Sequence, residues 1–376
     1  MPETLKIQIN PQVLLWARKE AGFKEKEIAA KLHIPYERYT SWESTGKEIP
    51  LGILKHISNY YKRQMAVFLL PVPPPELIKP KDYRNLAISK ADLSPDTLLS
   101  IRRAHKYLEL SKEILGDQYF INQYRWLEEI EILTQKKETI YSNSIIDWLR
   151  GKLKITIDEQ EKFSGYDDAF RKWRNSIEKE LGIYIFQFSM PKEELDGFCY
   201  AEETPPYAIV INSNTVKSRK IFTLFHELGH IFKHKSGICL PDITLDNNDI
   251  EFECNNFSGK FLIPDSIVFP INNIKDLGIL ANRFKVSREV YLRRNLERDF
   301  IIKKDFFGIL KNLKEQPPPT KKEKKDIRIK RTILSKASRG ETFFNLILEA
   351  VYTNKIDYIT ASDVLGLNFK HIEKNE

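Results

Sequence analysis

The spacing of apolar residues predicts helices over most of this chain and strands in one central region. Apolar residues recur every three or four positions in several long ranges, as is typical of helices with one buried face: 11–62, 92–181, 250–264, 274–296 and 342–365. Alternation predicts three short strands, Ile183–Phe188, Phe198–Ala201 and Tyr207–Asn212. The predicted fold class is therefore α+β and mostly helical, with a small sheet.

Two proline-rich stretches divide the chain. Pro71–Pro80 predicts a stiff linker, and Gln316–Pro319 precedes a basic run, Thr320–Arg339, that is typical of a solvated segment. The predicted segments are an N-terminal helical domain (1–70), a linker (71–90), a central domain that begins with helices (91–270), a helical subdomain (271–310), a Pro/Lys-rich linker (311–340) and a C-terminal helical segment (341–376). Ile157–Leu181 is predicted as one helix that packs on the core.

The most informative motif is His226-Glu227-Leu228-Gly229-His230. Histidines four residues apart lie on one face of a helix, so both can bind one cation. Imidazole suits Zn²⁺, and a catalytic zinc site keeps three protein ligands. Glu227 is placed to act as a general base in hydrolysis. Apolar neighbours on both sides predict a buried helix; the alternative is a pair of core histidines with ordinary hydrogen bonds.

A third ligand is expected downstream, on a second helix over Ile250–Pro264. Glu251 and Asn255 are four residues apart there, as a carboxylate ligand and a hydrogen-bond partner for a zinc-binding histidine require. Glu253 is the competing carboxylate, on the other side of the helix. His234 continues the histidine ladder but lies roughly 12 Å along the axis from His226, so we expect it to cap the helix end. Cys254 is expected to be a small buried residue rather than a thiolate ligand.

These segments resemble the ImmA/IrrE metallopeptidases. The residues that carry the resemblance are Phe222–His230 (FTLFHELGH), Glu251-x-x-Cys254-Asn255-Asn256-Phe257 and Phe261–Pro264, with Cys254 in place of the usual alanine and Ser258-Gly259 in place of the usual small pair. The resemblance implies a zincin-like peptidase core in which His226, His230 and Glu251 bind Zn²⁺ and Glu227 is the general base. It also implies that the strand Tyr207–Asn212 is a sheet edge, where an extended peptide can pair.

The first 70 residues contain a second set of recognisable positions: Trp16-Ala17-Arg18, Ala21-Gly22, Ala29-Ala30, Trp42-Glu43, Pro50 and Tyr60–Arg63. With these residues the segment resembles the N-terminal XRE (Cro/C1-type) helix-turn-helix domain. Short helices are predicted at Lys24–Leu32 and Tyr36–Glu43, on either side of the turn His33–Pro35. The candidate DNA contacts, at the start of the second of these helices, are Tyr36, Glu37, Arg38, Thr40 and Ser41. Only Arg38 is cationic, and Glu25 and His33 depart from the family's usual glutamine and glycine. Dimerisation or partner docking, including a homodimer, is the alternative role.

A second helix-turn-helix pattern follows the proposed metal ligands, at Ile274–Phe284 and Ser287–Leu296. It carries Arg288, Arg293 and Arg294, and nucleic-acid contact and a solvated helix face both account for these charges. A net charge of +8 over 376 residues permits a polyanionic partner.

Composition predicts a soluble, cytoplasmic protein. Hydrophobic residues make up 41% and charged residues 30%, and no apolar run approaches the ~20 residues of a membrane span. Residues 1–12 lack the apolar segment of a signal peptide, so no membrane partner is expected. Three cysteines in a chain of this length are typical of a reducing compartment.

The sequence therefore favours a zinc-dependent endopeptidase fused to a DNA-binding-type module. The resemblance implies a protein substrate, because free-standing relatives cut an XRE-type repressor, and thus a role in transcription regulation. The alternative is a DNA-binding regulator or antitoxin-like protein whose metal site is structural or sensory and which does not cleave proteins. A fourth protein ligand would indicate the alternative, since hydrolysis needs an open position on the metal.

Overall fold

The structure is a computed structural model that describes residues 5–75, 93–135, 139–201, 204–234, 238–239, 249–315 and 330–373. The chain forms two compact units: an N-terminal unit of Met1–Lys79 and Arg84–His105, and a C-terminal unit of Pro80–Tyr83 and Lys106–Glu376. Most of the predicted linker 71–90, and residues 316–329 of the predicted linker 311–340, lie outside the described residues.

Short helices build the N-terminal unit. They are α1 (Pro11–Ala21), α2 (Glu25–Lys31), α3 (Tyr36–Thr45), α4 (Leu51–Tyr61), a 3₁₀ helix at Met65–Leu69 and the first part of α5 (Pro95–Leu115), with two paired strands, β1 (Lys6–Ile7) and β2 (Ile49–Pro50). The Asn10 side chain accepts a hydrogen bond from the Gln12 N–H and starts α1, and Gly22, with φ 76°, ends it. The observed α2 and α3 begin and end within two residues of the predicted helices Lys24–Leu32 and Tyr36–Glu43.

A buried polar network lies in the core of the N-terminal unit. The Tyr39 and Tyr61 hydroxyls are 2.6 Å apart, and Tyr39 donates to Glu43 at 2.7 Å. Arg18 binds Glu43 at 2.7 Å and Glu25 at 2.6 Å. Because each of these groups has a partner, the network can be buried without a large desolvation cost.

The C-terminal unit is mostly helical around one small sheet. After α5 its helices are α6 (Asp117–Gln123), α7 (Trp126–Gln135), α8 (Asn143–Leu153), α9 (Ile157–Glu161), α10 (Tyr166–Glu180), α11 (Lys217–Phe232), α12 (Asp249–Leu262), α13 (Ile274–Arg283), α14 (Arg288–Glu297), α15 (Lys303–Glu315), α16 (Arg331–Arg339), α17 (Glu341–Tyr352), α18 (Tyr358–Leu365) and α19 (Phe369–Glu373). None of the described helices is both long and apolar enough to cross a membrane.

The sheet corrects one expectation from the sequence. Its strands, β3 (Tyr184–Phe188), β4 (Gly197–Tyr200), β5 (Ala208–Asn212) and β6 (Ile238–Cys239), are ordered β3-β5-β4-β6. The strand before the motif helix, β5, therefore lies between β3 and β4, and the prediction that it forms a sheet edge was wrong. All five residues of β5 are buried, which is typical of an inner strand covered on both faces.

The region predicted as one helix, Ile157–Leu181, is two helices. Residues 162–165 separate α9 from α10, and the Asp168 carboxylate accepts a hydrogen bond from the Ser164 N–H at 3.1 Å. The carboxylates of Asp167 and Asp168 in the first turn favour a helix start here, although the apolar spacing continues across the break. The apolar pattern alone could not show the interruption.

The described ends of the predicted linker 311–340 are also helical. Residues up to Glu315 belong to α15, and Arg331–Arg339 form α16. The Ser335 hydroxyl donates to the Leu365 carbonyl at 2.7 Å, and the Arg339 guanidinium donates to the Val364 carbonyl. These contacts with the end of α18 order a segment whose charge alone predicts a solvated chain.

Candidate metal centre

The HExxH motif lies in α11, a helix that is buried along most of its length. Every residue from Ile221 to Phe232 is buried. Trp173 of α10 contacts Phe225 with ring centroids 5.2 Å apart, and Phe225 stacks on Phe261 of α12 at 4.3 Å. The apolar side chains thus fix the helix between its neighbours, and the two histidines are buried among them.

A close approach of α12 brings the acidic residue to the histidines. A Cβ atom on Gly229 would lie 3.2 Å from the Cys254 sulfur and 3.2 Å from Cδ1 of Phe257, so the absent side chain permits this spacing. The Ser258 hydroxyl donates to the Phe222 carbonyl at 2.9 Å. This bond joins the two helices one turn from the motif.

Three ligand atoms converge from the two helices. Nε2 of His226 and Nε2 of His230 are 3.1 Å apart, and they lie 3.1 Å and 3.2 Å from the two carboxylate oxygens of Glu251. Ligand atoms about 2.05 Å from a tetrahedral zinc would be about 3.3 Å from one another. The two imidazoles and the carboxylate therefore fit one zinc ion in both chemistry and spacing.

Asn255 sets the orientation of the first histidine. Its Oδ1 lies 3.0 Å from Nδ1 of His226, and an amide oxygen can only accept, so Nδ1 carries the proton. Nε2 is then left with a free lone pair toward Glu251 and His230. A buried imidazole with this tautomer is the form that binds a metal.

The electrostatics of the site favour a bound cation. Burial lowers the pKa of His226, which keeps this ring neutral. Burial acts to raise the pKa of Glu251, but the two imidazoles beside it hold that pKa well below its ordinary value. Burial also opposes protonation of His230, yet Cys254 and the carboxylates raise its pKa well above the usual range.

Glu227 is a buried carboxyl group whose oxygens have no N–H or O–H donor among the described residues. Burial raises its pKa to about 8, opposed by the nearby His230, and the weak thiol of Cys199 on β4 interacts with it. A buried polar group without a strong partner costs free energy, so such a group commonly serves a ligand or a reaction.

The alternative ligands point elsewhere. Glu253 pairs with Lys233 at 3.0 Å, on another side of α12. His234 lies just past the end of α11 with φ 50°, and its Nε2 is 3.6 Å from Glu131. Burial raises the pKa of the Cys254 thiol, which therefore stays protonated. Within the described part of the chain, the cluster contains three ligands.

The five candidate DNA contacts lie together on the outer side of α3. Tyr36, Glu37, Arg38 and Ser41 are exposed and Thr40 is half-buried. The Arg38 guanidinium lies 5.5 Å from the Trp42 ring, and the Thr40 and Ser41 hydroxyls donate to carbonyls of their own helix. His33, in the preceding turn, has φ 54°, a left-handed conformation for which glycine is better suited.

Sequence reasoning missed the residues that β4 contributes. Cys199 touches the motif carboxyl group, and Asp196, just before β4, pairs with Arg219 of α11. A Cβ atom on Gly197 would lie 2.7 Å from Thr223 of α11, so glycine lets the strand pack on the helix. No local signal in the sequence indicates which strand meets α11.

A small sheet packed on a helix with an HExxH motif, completed by a carboxylate from the next helix, defines a candidate metallopeptidase centre. Comparison with known families points the same way. Residues 178–295 match the family model for the Peptidase M78 domain, described as an IrrE N-terminal-like domain. The match contains every proposed ligand and supports the resemblance to the ImmA/IrrE family, whereas the N-terminal unit lies outside it. No curated protein and no solved structure matched the chain.

Proposed function

We propose that this chain is a cytoplasmic zinc-dependent endopeptidase that acts in transcription regulation. The observation that carries the proposal is the convergence of His226, His230 and Glu251 beside the buried Glu227 carboxyl group, which has no N–H or O–H donor among the described residues. Three protein ligands leave an open position, as hydrolysis requires, and within the described residues no fourth ligand closes the site.

His226, His230 and Glu251 would hold the zinc, and Asn255 would keep Nε2 of His226 directed at it. A bound zinc would supply Lewis-acid polarisation of the scissile carbonyl and lower the pKa of water. Glu227 takes the proton of the attacking water on its carboxylate and delivers it to the leaving amine. Its dry surroundings strengthen these charge interactions.

A peptide substrate in an extended conformation would be aligned along the sheet. Since β5 is internal, the side of the sheet that contains β4 and β6 is the one nearest to the catalytic group, because Cys199 of β4 contacts Glu227. We propose that the substrate is a protein, and that a repressor with an XRE-type domain is the first candidate to test.

The Glu227→Gln variant tests the proposal. The amide keeps the shape of the side chain but cannot accept the proton, so we expect zinc content within error of wild type and at least a hundredfold slower cleavage. Cleavage is measured by co-expression with XRE-type repressor candidates, followed by purified components for any that are cut. The proposal is contradicted if the Glu227→Gln protein cleaves a proven substrate at the wild-type rate.

The exposed polar face of α3 favours a second activity, DNA binding by the N-terminal unit. Arg38→Ala should weaken binding to DNA. It should also reduce the slope of log binding constant against log salt concentration by about one, because one phosphate contact is lost. Lys55→Ala, an exposed lysine of α4, is the matched control. Fluorescence anisotropy at several salt concentrations gives both slopes. Equal slopes for wild type and Arg38→Ala would favour dimerisation or partner docking as the role of this unit.

The alternative of a structural or sensory metal site makes an opposite prediction for turnover. In that case DNA affinity depends on zinc, and neither wild type nor the Glu227→Gln variant cleaves any partner. The buried Glu227 carboxyl group argues against a structural or sensory site, because a purely structural site has no need of a buried acid beside its ligands.

A further inference from the structure

A cavity of about 370 Å³ lies in the C-terminal unit between α10, the first turn of α11, β3 and α16. It contains none of the metal-site residues. Five cationic side chains line it: Arg171, Arg174, Lys217, Lys220 and Lys336. Two carboxylates, Asp167 and Glu341, also line it, and Asp168 and Glu178 pair with Arg171 and Arg174, so the positive charge in excess is that of Lys220.

The two carboxylates that line the cavity neutralise Lys217 and Lys336 only weakly. Lys217 pairs with Asp167 at the surface, where both side chains are more than half exposed, and such pairs contribute little. Lys336 lies 3.7 Å from Glu341, longer than a good charged hydrogen bond. Both lysines can therefore turn toward an anion at a small cost.

Lys220 is the most weakly compensated of the five cations in this wall. It is partly buried, and among the described residues it has no ion pair, whereas the adjacent Arg219 pairs with Asp196. Burial lowers the pKa of Lys220 and the nearby Lys217 adds to this effect, while the charge of Asp167 opposes it. A partly desolvated ammonium group that faces a cavity is stabilised by an anion inside that cavity.

The helix start adds to the positive potential. α11 begins at Lys217, has no acidic residue in its first turn and has no side-chain cap. Lysines at the first and fourth positions are repelled by the positive end of the helix dipole, and the free N–H groups need acceptors. Both costs are reduced when an anion binds at this end.

Other groups in the wall suit a ligand that is larger than a simple ion. The guanidinium of Arg174 is already fixed by Glu178 and by the carbonyls of Ile185 and Ala337, so it forms a rigid wall. Asn175 adds amide hydrogen-bonding capacity, and Phe170 and Ile333 add an apolar surface. The volume lies within the range of sites for small organic ligands.

We propose that this cavity binds a small phosphate-bearing ligand with at least two negative charges, held by Lys220, Lys217, Lys336 and Arg171. The ligand would contact α11 about 9 Å along the helix axis from His226 and would join α16 to the peptidase core. A free polyphosphate and a nucleotide share the phosphate chemistry, and binding to each is measured separately.

Isothermal titration calorimetry on the full chain tests the proposal, with pyrophosphate and ATP as the probes. Wild type should bind at least one probe with a dissociation constant below about 1 mM, and Lys220→Met should weaken this binding by on the order of tenfold. Lys192→Met, an exposed lysine outside the cavity, is the control and should bind like wild type. Tighter binding of ATP identifies a nucleotide, and equal binding identifies a free polyphosphate.

Lys217→Met serves as a second variant, because its exposed side chain can be replaced without risk to folding. It should weaken binding of the same probe, and circular dichroism should show native helix content in all three variants. The proposal is overturned if neither probe binds wild type at about 5 mM, or if the Lys220 and Lys192 variants bind alike. Single-stranded DNA is titrated as a third probe. The proposal is also overturned if Lys220→Met weakens binding of this DNA and leaves binding of pyrophosphate and ATP unchanged.

Discussion

Asn255 shows how an uncharged side chain acts on the metal centre through one of the ligands. Its contact there is the 3.0 Å bond to Nδ1 of His226, and this bond fixes both the ring orientation and the tautomer. The spacing of Glu251 and Asn255 made this pair predictable from the sequence. The contact between Cys199 and Glu227 was not predictable, because it depends on how β4 packs against α11.

Asn255→Ala should lower zinc affinity by about tenfold to a hundredfold while leaving the three ligands in place. Asn256→Ala is the matched control, since Asn256 donates to the Phe252 carbonyl on the same helix and is not among the metal-site residues. Competition with a chromogenic chelator measures both affinities. If the two variants bind zinc equally well, Asn255 has no role in orienting His226.

At the scale of elements, the site depends on the short distance between α11 and α12. The helix positions were largely predictable, because apolar spacing and caps are local: α12 was expected at 250–264 and occurs at Asp249–Leu262. The break between α9 and α10 was not predictable, because it depends on the hydrogen bond between Asp168 and the Ser164 N–H. The inner position of β5 was not predictable either, because it depends on tertiary strand pairing. The residues that set the helix distance are small, and the sequence alone does not show what they touch.

Gly229→Ala should therefore destabilise the protein and weaken zinc binding. The new Cβ would lie 3.3 Å from the Cys254 backbone, which cannot rotate away, so α12 must shift by a few tenths of an ångström. We expect a net loss of about 1 kcal/mol in the free energy of unfolding, because overpacking outweighs the gain in helix propensity.

Gly151→Ala is the control for this comparison. Gly151 lies in α8, and a Cβ atom there would meet nothing within 4 Å. This variant should gain up to about 1 kcal/mol from helix propensity alone. Urea denaturation measures the free energy of unfolding of Gly229→Ala and Gly151→Ala. An equal increase in the two variants would show that α12 tolerates a larger distance from α11.

At the scale of the whole molecule, the proposed ligands all lie within one unit and within the family match at 178–295. The metal would tie α12 to α11, and its site is the part of the account that the sequence predicted best, since four of its residues come from two short motifs. DNA binding by the N-terminal unit would depend on its exposed side chains. The apolar pattern reports which residues are buried, so it says little about what those exposed side chains bind. DNA binding by that unit therefore stays a prediction.

The zinc content of three purified proteins tests the central claim most directly. Wild type, Glu251→Gln and Glu253→Gln are compared by elemental analysis after removal of loosely bound metal. Both variants change a carboxylate on α12, but only Glu251 contacts the histidines, whereas Glu253 pairs with Lys233. The account predicts one zinc per chain in wild type and Glu253→Gln and nearly none in Glu251→Gln. Full zinc in Glu251→Gln, or loss of zinc in Glu253→Gln alone, would contradict it.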